Sequence, residues 1–263
     1  MSPSWRDRVS VFLAPGEVQL ARHARGWRPA PGIAHAVECG TADGTAWEPA
    51  LAALGRALER LAWRGADARV TVSNHFVRYA LLRSAGKLRG ANERTAAARH
   101  ALRTTYGDRG DAWQVILGDT PGGDALAAAI EPALLDGIAA TLHAAKLRPA
   151  AVEPFLAAAF NACRGAIGRE PVWLAAAEPG RVCIAQLDRG AWRQVRSERL
   201  RGRLADELPA ALERCRLSAA DGAAAGRVLL VSREDPQLGP DDAGAWSFER
   251  IALEEAAAAP LAA

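Results

Sequence analysis

"PGEVQLARHARGWR", residues 15–28, returns as "PGRVCIAQLDRGAWR", residues 179–193, and this echo decides the fold. With one gap before the second tryptophan, eight of the fourteen positions are identical: Pro15/Pro179, Gly16/Gly180, Val18/Val182, Ala21/Ala185, Arg25/Arg189, Gly26/Gly190, Trp27/Trp192 and Arg28/Arg193. Leu20 and Ile184 match in kind. Each copy opens on a Pro-Gly turn, continues with alternating apolar residues and meets a second turn at Arg-Gly, the pattern of strands joined by tight connections. Single matches come easily in a chain rich in Ala and Arg. An ordered turn, strand and turn does not, and it predicts an internal duplication.

Working outward, residues 8–14 and 17–24 read as two strands around Pro15-Gly16, and residues 32–39 as a third. Residues 46–65 place Leu51, Leu54, Leu58 and Leu61 on one helical face, with Gly65 as the stop. The β-rich "RVTVSNHFVRYALL", residues 69–82, follows. The later block repeats the order: strands over 171–178, 181–188 and 191–200, a helix over 204–217 and a strand over 227–232. Two βββαβ units in tandem are predicted, closed alike by "RVTVS" and "RVLLVS". Between them the sequence predicts a helix over 92–107, strands over 112–118 and 124–130, a helix over 132–146 with Pro in its first turn, a short strand, and an apolar helix over 154–163. The closing "LEEAAAAPLAA" reads as a frayed tail.

The bulk numbers narrow the class. At 263 residues, half of them apolar and 24% charged, the chain is long enough for a substantial core. Its net charge of +3 comes from interspersed side chains without a basic block, so nucleic acid is not an expected partner. Cys39, Cys163, Cys183 and Cys215 show neither metal-ligand spacing nor a disulfide framework, and are expected as buried thiols in a reducing compartment. The sequence shows no leader-like apolar segment and no run long enough for a membrane span, so a cytoplasmic location is expected.

In its order of elements the chain resembles the cytoplasmic actin-like proteins of type IV pilus assembly, and more distantly the cytoplasmic part of the type II secretion inner-membrane platform protein. The resemblance is carried by "RVSVFLAPGEVQLAR", "RVTVSNHFVRYALL", "NERTAAARHALRTTYG", "AWQVILGD", the stretch "LLDGIAATLHAAKLRPAAVEPFLAAAFNAC", and "VWLAAAEPGRVCIAQLDRGAWRQVRSERL". It implies an α/β, duplicated ribonuclease-H-like (actin-like ATPase) fold. The first lobe would span 1–168, with an inserted α/β subdomain at about 88–130, and the second 169–263. It also implies a scaffold peripheral to the inner membrane, binding the cytoplasmic tail or domain of a bitopic assembly protein.

In the pilus relatives a nucleotide sits between the lobes, held by two hairpins that typically carry an acid before the turn. A carboxylate there orients Mg²⁺ and water. Here that position is Ala14 in the first hairpin, followed by Pro15 and Gly16, and a methyl group ligates nothing. In the second it is Glu178, followed by Gly180 after Pro179, whose missing N–H removes a phosphate-binding donor. The expectation is a pseudo-ATPase without cofactor, metal or catalytic residues. The alternative is an actin-like ATPase or small-molecule kinase with divergent loops in which Glu178 is the acid.

Two other features are open to more than one reading. Asn74, Phe76, Arg78 and Tyr79 follow a strand, where they either meet a protein partner or close the strand by packing inward. Trp5, Trp27, Trp192 and Trp246 stand near turns, as an exposed aromatic surface or as caps on the hydrophobic layers. No GxGxxG, Walker loop, HExxH or GxSxG occurs, and no histidine adjoins a nucleophile signature.

Overall fold

A computed structural model describes residues 6–24, 33–40, 46–108, 112–120, 123–219, 223–234 and 244–253, and the backbone of 259–260. The first repeat supplies β1 (Arg8–Leu13), β2 (Glu17–His23), β3 (Ile33–Glu38), α1 (Glu48–Leu61) and β4 (Asp67–Val72). Then come β5 (Val77–Leu82), α2 (Ala91–Tyr106), β6 (Gln114–Asp119), β7 (Ala125–Ile130), α3 (Pro132–Ala144), β8 (Arg148–Pro154) and α4 (Phe155–Cys163). The second repeat supplies β9 (Val172–Glu178), β10 (Arg181–Asp188), β11 (Ala191–Arg199), α5 (Leu204–Leu217) and β12 (Arg227–Ser232). β13 (Ser247–Arg250) and the two-residue β14 (Ala259–Pro260) close the chain.

The two large sheets have one plan. In the first the order is β14-β3-β2-β1-β4-β8, in the second β11-β10-β9-β12-β13. In each, three antiparallel strands are followed by parallel strands reached by crossover. This is the duplicated ribonuclease-H-like, actin-like arrangement, with one large sheet per repeat. β9 is buried along its whole length because it is central and covered on both faces.

The helices bury stripes that the leucine pattern alone only half describes. On α1 the buried residues are Ala50, Ala53, Leu54, Ala57 and Leu58, while Leu51 and Leu61 are half-buried. The small alanines let the helix lie close to the sheet. Leu51 instead covers α3, where a Cβ on Gly137 would stand 2.4 Å from its Cδ2. On α5, Leu204, Leu208, Ala211, Leu212 and Cys215 pack with Trp173, Ile184, Val228 and Leu230 in the second core.

The chain divides into two compact units, Met1–Val77 with Ile130–Phe155 and Glu254–Ala263, and Arg78–Ala129 with Leu156–Leu253. Within the second, β5, β7 and β6 form a separate three-stranded sheet, in that order. Ala98 and Leu102 of α2 pack on Ala80, Leu82, Ala125, Ala127 and Ala129 of that sheet, a core of mostly small side chains. The segment 69–82, which reads as one β-rich stretch, therefore serves two sheets. The chain breaks after β4, where the Phe76 N–H donates to Ser73 O (3.0 Å) and the His75 N–H to Ser73 Oγ (3.1 Å).

One further expectation changes, one strand is added and one open reading is decided. The tail does not simply fray: Ala259 and Pro260 pair in parallel with His35 and Ala36. β13 escapes the sequence pattern because four residues, three of them polar or charged, on a sheet margin carry no alternation to read. Trp192 and Trp246 are 4% and 6% exposed, packed on Phe160 (ring centroids 5.1 Å apart) and Trp173 (5.5 Å), so they cap cores. Trp5 and Trp27 lie outside the described residues.

The repeat signature is reproduced bond for bond. Pro15-Gly16 and Pro179-Gly180 are two-residue turns whose glycines have φ of +89° and +74°. Pro pre-sets the first turn position, and only glycine enters the second without steric penalty. The Gly16 carbonyl accepts the Cys39 N–H (2.8 Å), and the Gly180 carbonyl accepts the Leu200 N–H (2.9 Å), each just past the third strand. Likewise Leu13 O accepts from Ser73 (2.9 Å) and Ala177 O from Arg233 (3.0 Å), just past the fourth.

A side chain at either glycine carries the left-handed penalty of about 1–2 kcal/mol. Gly16→Ala and Gly180→Ala are each expected to lower stability by about that amount, and Gly40→Ala, which meets nothing within 4 Å and has no positive φ, by much less. Chemical denaturation of the three variants checks this.

Candidate functional site

The chemistry of an actin-like fold would be sought at the two Pro-Gly hairpins, and each can be described by itself. In the first, the Ala14 N–H donates to Glu17 O (3.1 Å) and closes the turn. Ala14 and Pro15 are half-buried and Gly16 is exposed. Ala14 offers the turn no polar side-chain atom. The neighbouring carboxylate, Glu17, accepts a hydrogen bond from Gln19 Nε2 (3.0 Å) on its own strand.

In the second hairpin Pro179 and Gly180 are exposed, but Glu178 is turned inward and only 2% exposed. Its partner across the ladder, Arg181, is 8% exposed and donates from Nη1 to Ser197 Oγ on β11 (2.8 Å). The carboxylate that the sequence places in the acid position thus lies inside the protein, beside a guanidinium. Burial, joined by repulsion from Arg78 and Arg199, makes Arg181 easier to deprotonate than an ordinary arginine.

Around this pair the interior is crowded with groups held neutral. The Cys183 thiol is pushed up to about 12, chiefly by burial, against an ordinary value of 9.0. Tyr79 is raised well above its ordinary value by burial, and its hydroxyl is hydrogen-bonded to the Leu156 backbone. Tyr106, also raised by burial, donates to Tyr79 O (3.2 Å). The other thiols behave alike: Cys215 is pushed to about 12, Cys163 to about 11, and Cys39 upward, each chiefly by desolvation. A neutral thiol is a poor nucleophile, so none of the four suits covalent catalysis.

Of the stretch singled out for partner contact, Asn74, Phe76 and Tyr79 are buried (0%, 7% and 5% exposed) and Arg78 is half-buried. The first two belong to the turn between β4 and β5, the last two to β5. Sequence reading did not single out Arg181 or Ser197. An arginine paired with a serine sixteen residues on has no local signature, because it is the β10–β11 register that joins them. Among the described residues, no group of three or more His, Cys, Asp or Glu is placed to hold a metal ion.

No protein-family model matches the chain, and no curated protein does. Solved structures do. A chain of the PilM–PilN type IV pilus biogenesis complex superposes with a TM-score of 0.71 at 14% identity, over 95% of this chain and 90% of that one. The cytoplasmic domain of EpsL, an inner-membrane component of the type II secretion system of Vibrio cholerae, follows at 0.56 and 10%, over 93% and 89%. A protein of unknown function with an actin-like ATPase fold from Bacteroides thetaiotaomicron reaches 0.54 at 9%, over 88% and 84%. The fold is actin-like.

The buried thiols give this region a pH signature. A thiol that keeps its proton when folded and loses it above about 9 when unfolded favours the unfolded state as pH rises. The stabilising contribution is whole below 9 and declines from there towards the folded values of about 11 to 12. The denaturation midpoint is expected to fall between pH 8 and pH 10.5, and to fall less in Cys183→Ala. Iodoacetamide is expected to label the folded protein at pH 8 far more slowly than the unfolded chain.

Proposed function

We propose that the chain is a non-catalytic, actin-like scaffold of a type IV pilus or type II secretion assembly platform. It would reside in the cytoplasm and hold the cytoplasmic segment of a bitopic inner-membrane partner. The observation that carries the non-catalytic half is the pair of turns: a methyl group at Ala14 and an inward carboxylate at Glu178 leave neither hairpin an exposed acid for Mg²⁺. Pro15 and Pro179 remove one backbone donor from each. The scaffold half is supported by likeness, over 95% and 93% of this chain, to a chain solved as part of a pilus complex and to a cytoplasmic domain of a secretion component. Among the described residues no helix is long and apolar enough to cross a membrane, so in this reading a partner supplies the membrane contact. The repeats are assigned to 1–168, with the insert at about 88–130, and to 169–263.

Glu178 also gives the rival reading, an ATPase or small-molecule kinase with divergent loops, its one acid at the expected position. Isothermal titration with Mg-ATP separates the two. No binding in the low-micromolar range is expected, and Glu178→Gln is expected to leave that result unchanged. Low-micromolar affinity that Glu178→Gln abolishes would establish the rival. The scaffold half is tested by retention of synthetic cytoplasmic tails of candidate inner-membrane partners on the immobilised protein. Retention of one tail over its scrambled version is expected.

A further inference from the structure

Among the marginal strands of the second compact unit are β11, at one end of the five-stranded sheet, and β5, at one end of the three-stranded one. Between them is a cavity of about 520 Å³, lined by residues 79–81 of β5, residues 195–198 of β11 and the Tyr106 end of α2. Successive strand residues point to opposite faces. A cavity touching four in a row on one strand and three on the other therefore runs along the backbone edges. At one end Arg83 closes the gap, its Nη2 donating to the Arg193 carbonyl.

The direction of the β11 backbone follows from its register. Glu198 pairs with Val182 and Arg196 with Ile184, and the Leu200 N–H points back to Gly180 O. With the two-residue alternation of an antiparallel ladder, the N–H and C=O groups of Val195 and Ser197 face away from β10, toward the cavity. Such a row recognises an extended peptide by adding it as a further strand.

Charge selects the peptide. Arg196 and Arg199 are exposed on β11. Behind Ser197 stands Arg181, more than nine-tenths buried, whose Nε has no hydrogen-bond partner among the described residues. Arg78 is close enough to act on both Arg181 and Tyr106. The acid in the lining, Glu198, is already engaged by Arg214 at 2.5 Å. The opposite wall mixes the small Ala80, Ala101 and Thr105 with Tyr79, Leu81 and Tyr106.

We propose that the β11 edge is a docking site for an acidic, extended peptide, which pairs with Val195 and Ser197 and sets its carboxylates toward Arg199 and Arg181 on one face of the strand, with Arg196 adding positive charge on the other. The site deepens the scaffold reading and rests on it only for the source of the peptide. Calorimetric titration of the full chain with a capped hexapeptide of alternating valine and aspartate tests it, beside the valine–lysine analogue and two versions N-methylated at one or the other set of alternate residues. The aspartate peptide is expected to bind at least about ten-fold tighter than the lysine one, more weakly at high salt, and to lose about ten-fold with one N-methyl set. The double variant Arg196→Glu/Arg199→Glu, at exposed positions that leave folding intact, is expected to lose at least about ten-fold with an unchanged melting curve. No binding, equal affinity for both charges, or indifference to the double variant would overturn the site. The two readings fail separately. A tail retained equally by wild type and double variant removes the groove and keeps the scaffold, whereas peptide binding without retention of any tail does the reverse.

Discussion

The carbonyl of one glycine in each repeat holds the architecture together. Gly16 and Gly180 take a left-handed φ that turns the chain in two residues, and their carbonyls then face the first residue past the third strand. One residue thus fixes both ends of a three-stranded antiparallel unit: the hairpin by its φ, the third strand by its acceptor. The residues just before the turn, Leu13 and Ala177, accept from the end of the fourth strand and tie the parallel half to the same corner. A shift of one residue at the turn would break these ties and move every side chain of the hairpin to the opposite face. The conformational freedom of glycine is what the corner needs.

That separation of backbone from side chain explains how the corner persists while its chemistry goes. The turn constrains the second turn residue and the carbonyls, and it asks little of the side chain before the proline. Ala14 and Glu178 occupy that place in geometrically matching corners, one without a polar group and the other with its carboxylate sent inward toward Arg181. Burying a carboxylate and a guanidinium seldom stabilises a fold relative to an apolar pair. The Glu178 and Arg181 neighbourhood, with Ser197, Cys183 and Tyr79, is accordingly a place where the second repeat departs from the plain packing of the first.

Most of the fold was legible because turns and alternation are local. Pro-Gly at 15 and 179, the helical spacing through α1 and α5, and Pro132 opening α3 each act within a few residues, and strands and helices fall within two or three residues of where those signals place them. The unread parts depend on distant partners. Residues 69–82 look continuous because nothing in "SNHF" says that the next strand joins another sheet. The inward turn of Glu178 goes with the covering of β9, which an acid before Pro-Gly does not reveal. Asn74, Phe76 and Tyr79 read either as a display of binding groups or as an inward-packed strand end, and it is the turn at Ser73 and the β5 register that bury them. The cationic edge of β11 was invisible for the same reason, since being at an edge is a property of the sheet.

The duplication finally shows where the repeats part. By position, β3 in the first sheet corresponds to β11 in the second, each the third strand and each with an outer side that the shared plan leaves open. In the first sheet that side is taken by Ala259 and Pro260. On β11 no strand takes that side among the described residues, and arginines stand along it. An open edge invites unwanted pairing, and charge is a common way to limit it. Charge of one sign does more than limit, because it repels cationic strands and attracts acidic ones. An edge that the first repeat closes with its own chain is in the second repeat kept open and made selective.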